Sequence, residues 1–172
     1  MVARALECPS IDELIKNFER ILIESFLYVF GDRLVSLVLY GSYARGDFRE
    51  DSDIDVIVVL SSVVDRYTLH LELDKVEELL APTLRCFNLY GYNPVLSPIV
   101  LSVDQARNIR PLYLDAIFDA KILYDKANFI SNIFEKLRKK LEEYGARRVK
   151  IGRKWVTILK SDYRFGEVIE FE

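Results

Sequence analysis

The residues best suited to chemistry lie in one stretch, Gly41-Ser42 followed by Asp53 and Asp55. Two aspartates spaced two apart on a strand present both carboxylates to the same side. Such a pair forms a site for one or two Mg²⁺ (or Mn²⁺) ions, which would neutralise a triphosphate and orient an incoming hydroxyl. Gly41 allows a sharp turn with no Cβ in the way of a phosphate. Ser42 offers a hydroxyl, and the exposed amides of that turn favour an anion.

Each part of this pattern also has an ordinary structural interpretation. Gly-Ser turns after strands are common, and an Asp-x-Asp pair at a strand start is often only a solvated edge. Arg45 could contact a phosphate, or it could pair with Asp47 or Glu50 on the surface. The combination is more specific than its parts. An apolar segment precedes the Gly-Ser turn and another follows from the aspartate pair, in the order that such a site requires.

The first half of the chain predicts elements that would position this pattern. Ser10 and Glu13 fit a capping box that begins a helix, and Gly31 is a plausible end. Apolar, β-branched residues predict strands over 34–40 and 54–60, and the second is apolar on both faces, as in a covered central strand. Residues 65–80 predict a helix that Pro82 ends or kinks.

The second half continues the alternation of strands and helices. Pro98 places a third strand, over 95–101, at a sheet edge or bulge. Further predictions are a capped helix from Ser102 broken near Pro111 and resumed through Phe118, a short strand over 121–124, an amphipathic helix over 129–144 and a hairpin over 149–171 that turns at Gly152. We expect one core domain over 1–125, onto which residues 126–172 pack because they are too few for a secure core of their own.

Composition excludes several classes of protein. The 172 residues carry 24 Lys+Arg and 27 Asp+Glu, a formal charge of −3, so the whole molecule is not a general polyanion binder. Cys8 and Cys86 lie far apart without metal-ligand spacing, which argues against a disulfide framework or a zinc site and favours a reducing cytoplasm. No apolar run reaches the length of a membrane span. One His and one Met beside many charged residues are typical of a thermophile.

The pattern Gly41-Ser42, ten residues, Asp53-x-Asp55 resembles the signature of the DNA polymerase beta-like nucleotidyltransferase superfamily. Its form Gly-Ser-Tyr-Ala-Arg-Gly is similar to the small prokaryotic members, the minimal nucleotidyltransferases (MNT), here of an archaeal type. The resemblance implies an α+β (α/β) fold: a small mixed sheet flanked by helices, placed on one side of the sheet in the family, here with a C-terminal helix and hairpin added.

The same resemblance implies a function and a set of site residues. Gly41 and Ser42 would hold nucleotide phosphates, Arg45 would stand at a typically basic position, and Asp53 and Asp55 would be the catalytic, Mg²⁺-binding (or Mn²⁺-binding) pair. The implied reaction transfers a nucleoside monophosphate from an NTP, with ATP expected, to a hydroxyl. Such proteins often act as antitoxins to HEPN-domain toxins, some by adenylylating the toxin, so a HEPN-type toxin is a candidate partner.

One departure from the family pattern bears on catalysis. Active members carry a third carboxylate on a later strand, whereas residues 92–101 contain no Asp or Glu, and Ser97 occupies roughly that place. That acid would accept the proton of the attacking hydroxyl or complete the metal's shell. Asp104 is the nearest acid downstream. The alternative function is therefore a catalytically weak or inactive nucleotide-binding, antitoxin-like module on the same fold.

Other candidates favour structural roles. His70 is the only histidine, so a histidine relay has no support. Tyr43 could stack on a base, but we expect a packed side chain. The basic residues of 147–154 beside Trp155 could contact RNA, although a solvated hairpin face that offsets the acids of 167–172 is the preferred interpretation. The apolar stripe of helix 129–144 predicts core packing first and a homodimer interface second.

Overall fold

The computed structural model describes residues 8–152, 154–160, 162 and 164, and its centre is a four-stranded mixed sheet in the order β3-β2-β1-β4. The strands are β1 (Leu34–Tyr40), β2 (Ile54–Leu60), β3 (Leu96–Ser102) and β4 (Lys121–Asp125). The strand β1 pairs antiparallel with both β2 and β4, while β2 pairs parallel with β3. In the described part of the chain, no helix is long and apolar enough to cross a membrane.

The first helix, α1 (Ile11–Phe30), begins at the predicted capping box and ends at Gly31. The Ser10 hydroxyl accepts a bond from the Glu13 amide, and the Glu13 carboxylate accepts one from the Ser10 amide. A short 3₁₀ turn over 31–33 then leads directly into β1. The sequence therefore correctly predicts both the start and the end of this helix.

The long helix α3 (Arg66–Leu89) connects the parallel strands β2 and β3, as a crossover must. Asp65 caps it by accepting bonds from the amides of Tyr67 and Thr68. Of the two alternatives predicted at Pro82, an end of the helix is wrong, because the helix continues through Pro82 to Leu89, while a kink stays a prediction. Leu80 before the proline and Phe87 after it are both fully buried. Packing on both sides holds the helix together despite the one backbone bond that proline removes.

The elements after α3 follow the predicted order. The strand β3, with Pro98 in it, lies at the sheet edge, where a missing donor costs least. The helix α4 (Val103–Arg107) begins with a capping box between Ser102 and Gln105. It is followed by α5 (Pro111–Ala116).

The last helix, α6 (Phe129–Glu143), is anchored to the sheet by Asp125. One oxygen of that carboxylate accepts bonds from the buried Ser36 hydroxyl (2.7 Å) and the Ile130 amide (3.0 Å). The other accepts bonds from the amide and the hydroxyl of Ser131. The start of α6 is thereby tied to both β4 and β1.

A hairpin of β5 (Arg147–Ile151) and β6 (Lys154–Ile158) follows α6. Its turn lies at Gly152, as predicted, whereas the predicted continuation to residue 171 falls mostly outside the described residues. The division into 1–125 and 126–172 stays a prediction.

Helices cover both faces of the sheet. One core lies between the sheet and the helices α1 and α3, and it contains Phe18, Phe26 and Phe87. The other lies against α4, α5 and α6, and it contains Tyr113 and Phe134. The expectation of helices on one side only is therefore wrong, while the expectation that β2 is covered on both faces is confirmed.

Cys8 and Cys86 form a disulfide, contrary to the sequence-based expectation. The two residues are 78 positions apart, and their Cα atoms lie 5.5 Å from each other. The packing of α1 against α3 brings them together, and no local spacing could have revealed it. The disulfide removes the sequence argument for a reducing compartment. Intracellular proteins of hyperthermophiles also contain disulfides, so a cytoplasmic location stays a prediction.

We predict that Cys8→Ser/Cys86→Ser lowers the free energy of unfolding by about 2–4 kcal/mol, because the bond closes a long loop in the unfolded chain. Urea unfolding of the variant and the wild type, without reductant, measures this difference. A thiol titration of the denatured wild type is the accompanying control. Two reactive thiols before reduction would contradict the disulfide.

Candidate functional site

The site forms where β1 ends and β2 begins, because these strands are antiparallel neighbours. Tyr40, the last residue of β1, is the register partner of Asp55. Gly41 follows with a φ of +73°, and a Cβ built on it would lie 2.5 Å from Oδ2 of Asp55. Only glycine fits here, because both the backbone conformation and the closeness of the carboxylate exclude a side chain.

Asp53 immediately precedes β2 and Asp55 is its second residue, and the charge of Asp53 reaches Asp55. That both carboxylates face the same side of the strand stays a prediction. Asp53 is exposed and Asp55 is half-buried. Burial raises the pKa of Asp55, the nearby Asp53 raises it further, and Arg45 lowers it. Two neighbouring carboxylates of like charge repel each other, and a cation between them would relieve that repulsion.

The donor set fits a divalent metal only in part. Two carboxylates supply the oxygen ligands that Mg²⁺ or Mn²⁺ prefers, and nucleotide phosphates and waters commonly complete such a shell. Among the described residues, no group of three or more His, Cys, Asp or Glu side chains is arranged to hold a metal. Asp53 and Asp55 would therefore hold the ion together with its nucleotide.

The ten residues between the turn and the aspartates have a defined structure. The short helix α2 (Gly41–Arg45) ends at Gly46. The buried Tyr43 ring stacks on Phe48 at 4.3 Å, and burial raises the pKa of Tyr43 to about 12. The Ser52 hydroxyl accepts a bond from the Arg49 amide. Tyr43 is thus packed, as expected, and this packing holds the loop that leads to Asp53.

Arg45 forms ion pairs within the protein. Its Nε lies 3.0 Å from Asp47, and its Nη1 lies 3.0 Å from Asp119, which follows α5. Asp119 also pairs with Arg148 of β5. The surface pairing with Asp47 was foreseen, but Asp119 was not, since nothing in the sequence relates positions so far apart. A phosphate contact by Arg45 stays a prediction.

Ser97 lies where the sequence places it, opposite the aspartate pair. It is the register partner of Asp55 in the parallel pairing of β2 with β3, so the two share a face of the sheet. Asp104 lies beyond the other end of β3, about 17 Å further along that strand. Asp104 is therefore too far away to replace the absent third carboxylate.

Sequence reasoning missed two groups beside the site. The Tyr40 hydroxyl lies on the Asp55 face, and burial, with Asp55 and Asp115 nearby, raises the pKa of Tyr40 to about 12. Asp115 belongs to α5 and is exposed. Tyr40 could have been noticed as the residue before the glycine, whereas Asp115 becomes visible only once α5 lies against the sheet.

The remaining candidates lie away from the aspartates. His70 is exposed on α3, with Asp74 3.8 Å away. In the hairpin, Arg148 stacks on Trp155 at 5.0 Å and on Phe118 at 5.7 Å. These contacts engage, within the protein, aromatic and basic groups that RNA binding would need. They do not test RNA binding, which stays a prediction. The acids of 167–172 lie outside the described residues.

Comparison with known proteins decides the family. The profile described as a nucleotidyltransferase domain matches residues 15–161, which include the turn, the aspartate pair and most of both cores. The chain belongs to this nucleotidyltransferase family. The mixed sheet, with the Gly-Ser turn after one strand and Asp-x-Asp at the start of its neighbour, is thus the fold of a nucleotidyltransferase domain.

Relatives of this nucleotidyltransferase domain occur in Methanocaldococcus jannaschii. A protein named "Putative protein adenylyltransferase" is 30% identical over 129 residues, 74% of this chain and 83% of its own length. A second of the same name is 38% identical over 51 residues, 30% of this chain and 48% of its own length. A solved toxin–antitoxin structure with AMP-PNP is 18% identical with a TM-score of 0.45, over 74% of this chain and 92% of that one.

We predict that Asp55→Asn stabilises the metal-free protein at neutral pH. The raised pKa means that folding favours the neutral form of the Asp55 carboxyl. The stability that this form contributes is fully present below pH 3.8, the ordinary pKa of the group, and is lost as the pH rises through the folded-state pKa. The variant avoids that loss, and its advantage should vanish in acid. Thermal melts with EDTA from acidic to neutral pH test this, with the exposed Asp51→Asn as control. A variant less stable than wild type at neutral pH would contradict it.

We predict that Gly41→Ala destabilises the protein more than Gly46→Ala does. Both glycines have positive φ, so either alanine costs about 1–2 kcal/mol of backbone strain. A Cβ on Gly46 meets nothing within 4 Å, whereas one on Gly41 meets Asp55. The clash should add about 1–3 kcal/mol. Urea unfolding of both variants isolates it, and equal losses would mean that Asp55 does not press on Gly41.

Proposed function

We propose that the protein transfers AMP from ATP to a hydroxyl of another protein, with a divalent cation at Asp53 and Asp55. The observation that carries the proposal is the contact between Gly41 and Asp55. It places the backbone turn that would face phosphates directly beside the carboxylates that would hold the cation. Membership of the nucleotidyltransferase family supplies the reaction class.

Each site residue then has a role that its position supports. The turn at Gly41 would present its backbone amides to a phosphate, and the half-buried Ser42 would offer a hydroxyl beside it. Asp53 and Asp55 would bind Mg²⁺ or Mn²⁺, which neutralises the triphosphate. Arg45 lies close enough to lower the pKa of Asp55, so its charge also favours the ionised, cation-binding form.

The acceptor is the finer part of the proposal. The relative that is 30% identical over three quarters of this chain is named for adenylyl transfer to protein. That name supports ATP as the nucleotide and a protein hydroxyl as the acceptor. A HEPN-type toxin, expected from the sequence resemblance, is the candidate protein partner.

We predict that wild-type protein with Mg²⁺ or Mn²⁺ labels a host protein from [α-³²P]ATP, and that Asp53→Asn/Asp55→Asn does not. Losing both carboxylates removes the cation's protein ligands, while the fold should be at least as stable. Asp12→Asn/Asp51→Asn removes the same charge from exposed positions and is the matched control. Labelled proteins on a denaturing gel provide the readout.

Two outcomes would contradict the proposal. Labelling that persists in the Asp53→Asn/Asp55→Asn variant would mean that the aspartates do not form the site. Label from [γ-³²P]ATP instead of the α-labelled nucleotide would mean that the protein transfers phosphate and not AMP.

A second candidate function is a slow or inactive nucleotide-binding module, and Ser97 favours it. Ser97 faces Asp55 where active relatives are expected to carry a carboxylate, so no group there would accept the proton of the attacking hydroxyl. General-base help is typically worth about 10²- to 10⁴-fold in rate. ATP would then bind with its cation, but transfer would be slow.

We predict that Ser97→Asp raises the rate of AMP transfer about tenfold or more, because it restores a carboxylate beside Asp55. Single-turnover labelling with ATP in excess measures the rate, and Asp104→Ala should leave it unchanged. Rapid transfer by the wild type that survives Asp104→Ala and falls in Ser97→Asp would contradict the slow-module interpretation. Asp115 would then be the acid to examine.

A further inference from the structure

A concave surface lies at the other end of the sheet from the aspartates. This groove has a volume of about 1330 Å³ and runs between α6 and the connection from α4 to α5. Val35, near the start of β1, lies at its floor. Since Gly41 follows the end of β1, the groove is about 20 Å from the candidate nucleotide site. Nothing in the proposed reaction uses it.

The rim of the groove is strongly positive. Its lining includes six basic side chains and, within the described residues, no acidic one: Arg107, Arg110, Lys126, Lys136, Lys139 and Lys140. Lys139 pairs with Glu135 at 2.8 Å. No ion pair to the other five is found within the part of the chain that the structure describes. This concentration of positive charge contrasts with the net charge of −3 for the whole chain.

The floor of the groove is apolar and mostly aliphatic. It is formed by Val35, Ile109, Leu114, Phe129 and Ile133. Single-stranded nucleic acid is bound by basic grooves that offer several aromatic rings for base stacking. Among the described residues, this groove offers only the ring of Phe129. Small ligands usually occupy smaller pockets, of about 300–1,000 Å³. An aliphatic floor inside a basic rim instead matches a ligand whose apolar stripe is flanked by acidic side chains.

The shape of the α6 wall also suits a helix. Ile133, Lys136 and Lys140 are three and four positions apart, so they share one face of α6 over about 10 Å, or two turns. A helix lying along this wall could place apolar residues on the floor and carboxylates against both rims. Bringing opposite charges to the rim also relieves the mutual repulsion of the basic side chains.

We propose that this groove binds an acidic amphipathic helix of a partner protein. The helix would lay its apolar stripe on the aliphatic floor and pair its carboxylates with the cations of the rim. The proposal does not rest on nucleotidyl transfer, because the groove and the aspartate pair lie at opposite ends of the sheet.

The test is fluorescence anisotropy with the full-length protein. The probe is a labelled, stapled peptide of about 14 residues with Leu at helical spacing and Glu elsewhere. Lys136→Glu/Lys140→Glu should weaken its binding about tenfold or more at low salt. Lys16→Glu/Lys75→Glu changes the net charge equally at exposed positions of α1 and α3, and it should have little effect. A peptide with Leu replaced by Ser should bind about tenfold more weakly or worse.

Three results would overturn the proposal. One is no binding of the acidic peptide, and another is equal weakening by both pairs of variants, which would indicate general charge attraction. The third is tighter, Lys136- and Lys140-dependent binding of a labelled single-stranded RNA, which would make the groove a nucleic-acid site. Circular dichroism of each variant confirms that it is folded, and ATP binding by the Lys136→Glu/Lys140→Glu variant should be unchanged.

Discussion

The close approach of Gly41 to the Asp55 carboxylate is the constraint on which the candidate site depends. The register of β1 against β2 places the two residues side by side, and the absence of a side chain at Gly41 lets the carboxylate lie against the backbone. Asp55 is consequently held half-buried next to Asp53, at a cost that its raised pKa records. Stability is given up where a cation would restore it, as is common at functional sites.

The rest of the fold holds this arrangement in place from both faces. On one face, the stacking of Tyr43 on Phe48 fixes the loop that leads to Asp53. On the other, Asp119 pairs with both Arg45 and Arg148, which connects the α2 turn to the C-terminal hairpin. A hairpin distant in sequence is therefore coupled to the candidate site through one carboxylate.

Local signals in the sequence predicted much of this structure, and long-range packing accounts for what they missed. The capping boxes at Ser10 and Ser102 and the Asp-x-Asp spacing are contained within a few residues, so they could be read directly. The continuation of α3 through Pro82 depends on burial of both flanks. The Cys8–Cys86 bond and the Asp119 ion pairs join distant positions, and no periodicity encodes them.

Paramagnetic NMR tests directly whether the Gly41 turn and the two aspartates form one cation–nucleotide site. Adding Mn²⁺ with ATP to ¹⁵N-labelled protein broadens the amide signals nearest the ion. We expect the broadening to centre on Gly41, Ser42 and residues 53–55. Broadening that instead centres on the basic groove along α6, with the Gly41 signal unchanged, would contradict it.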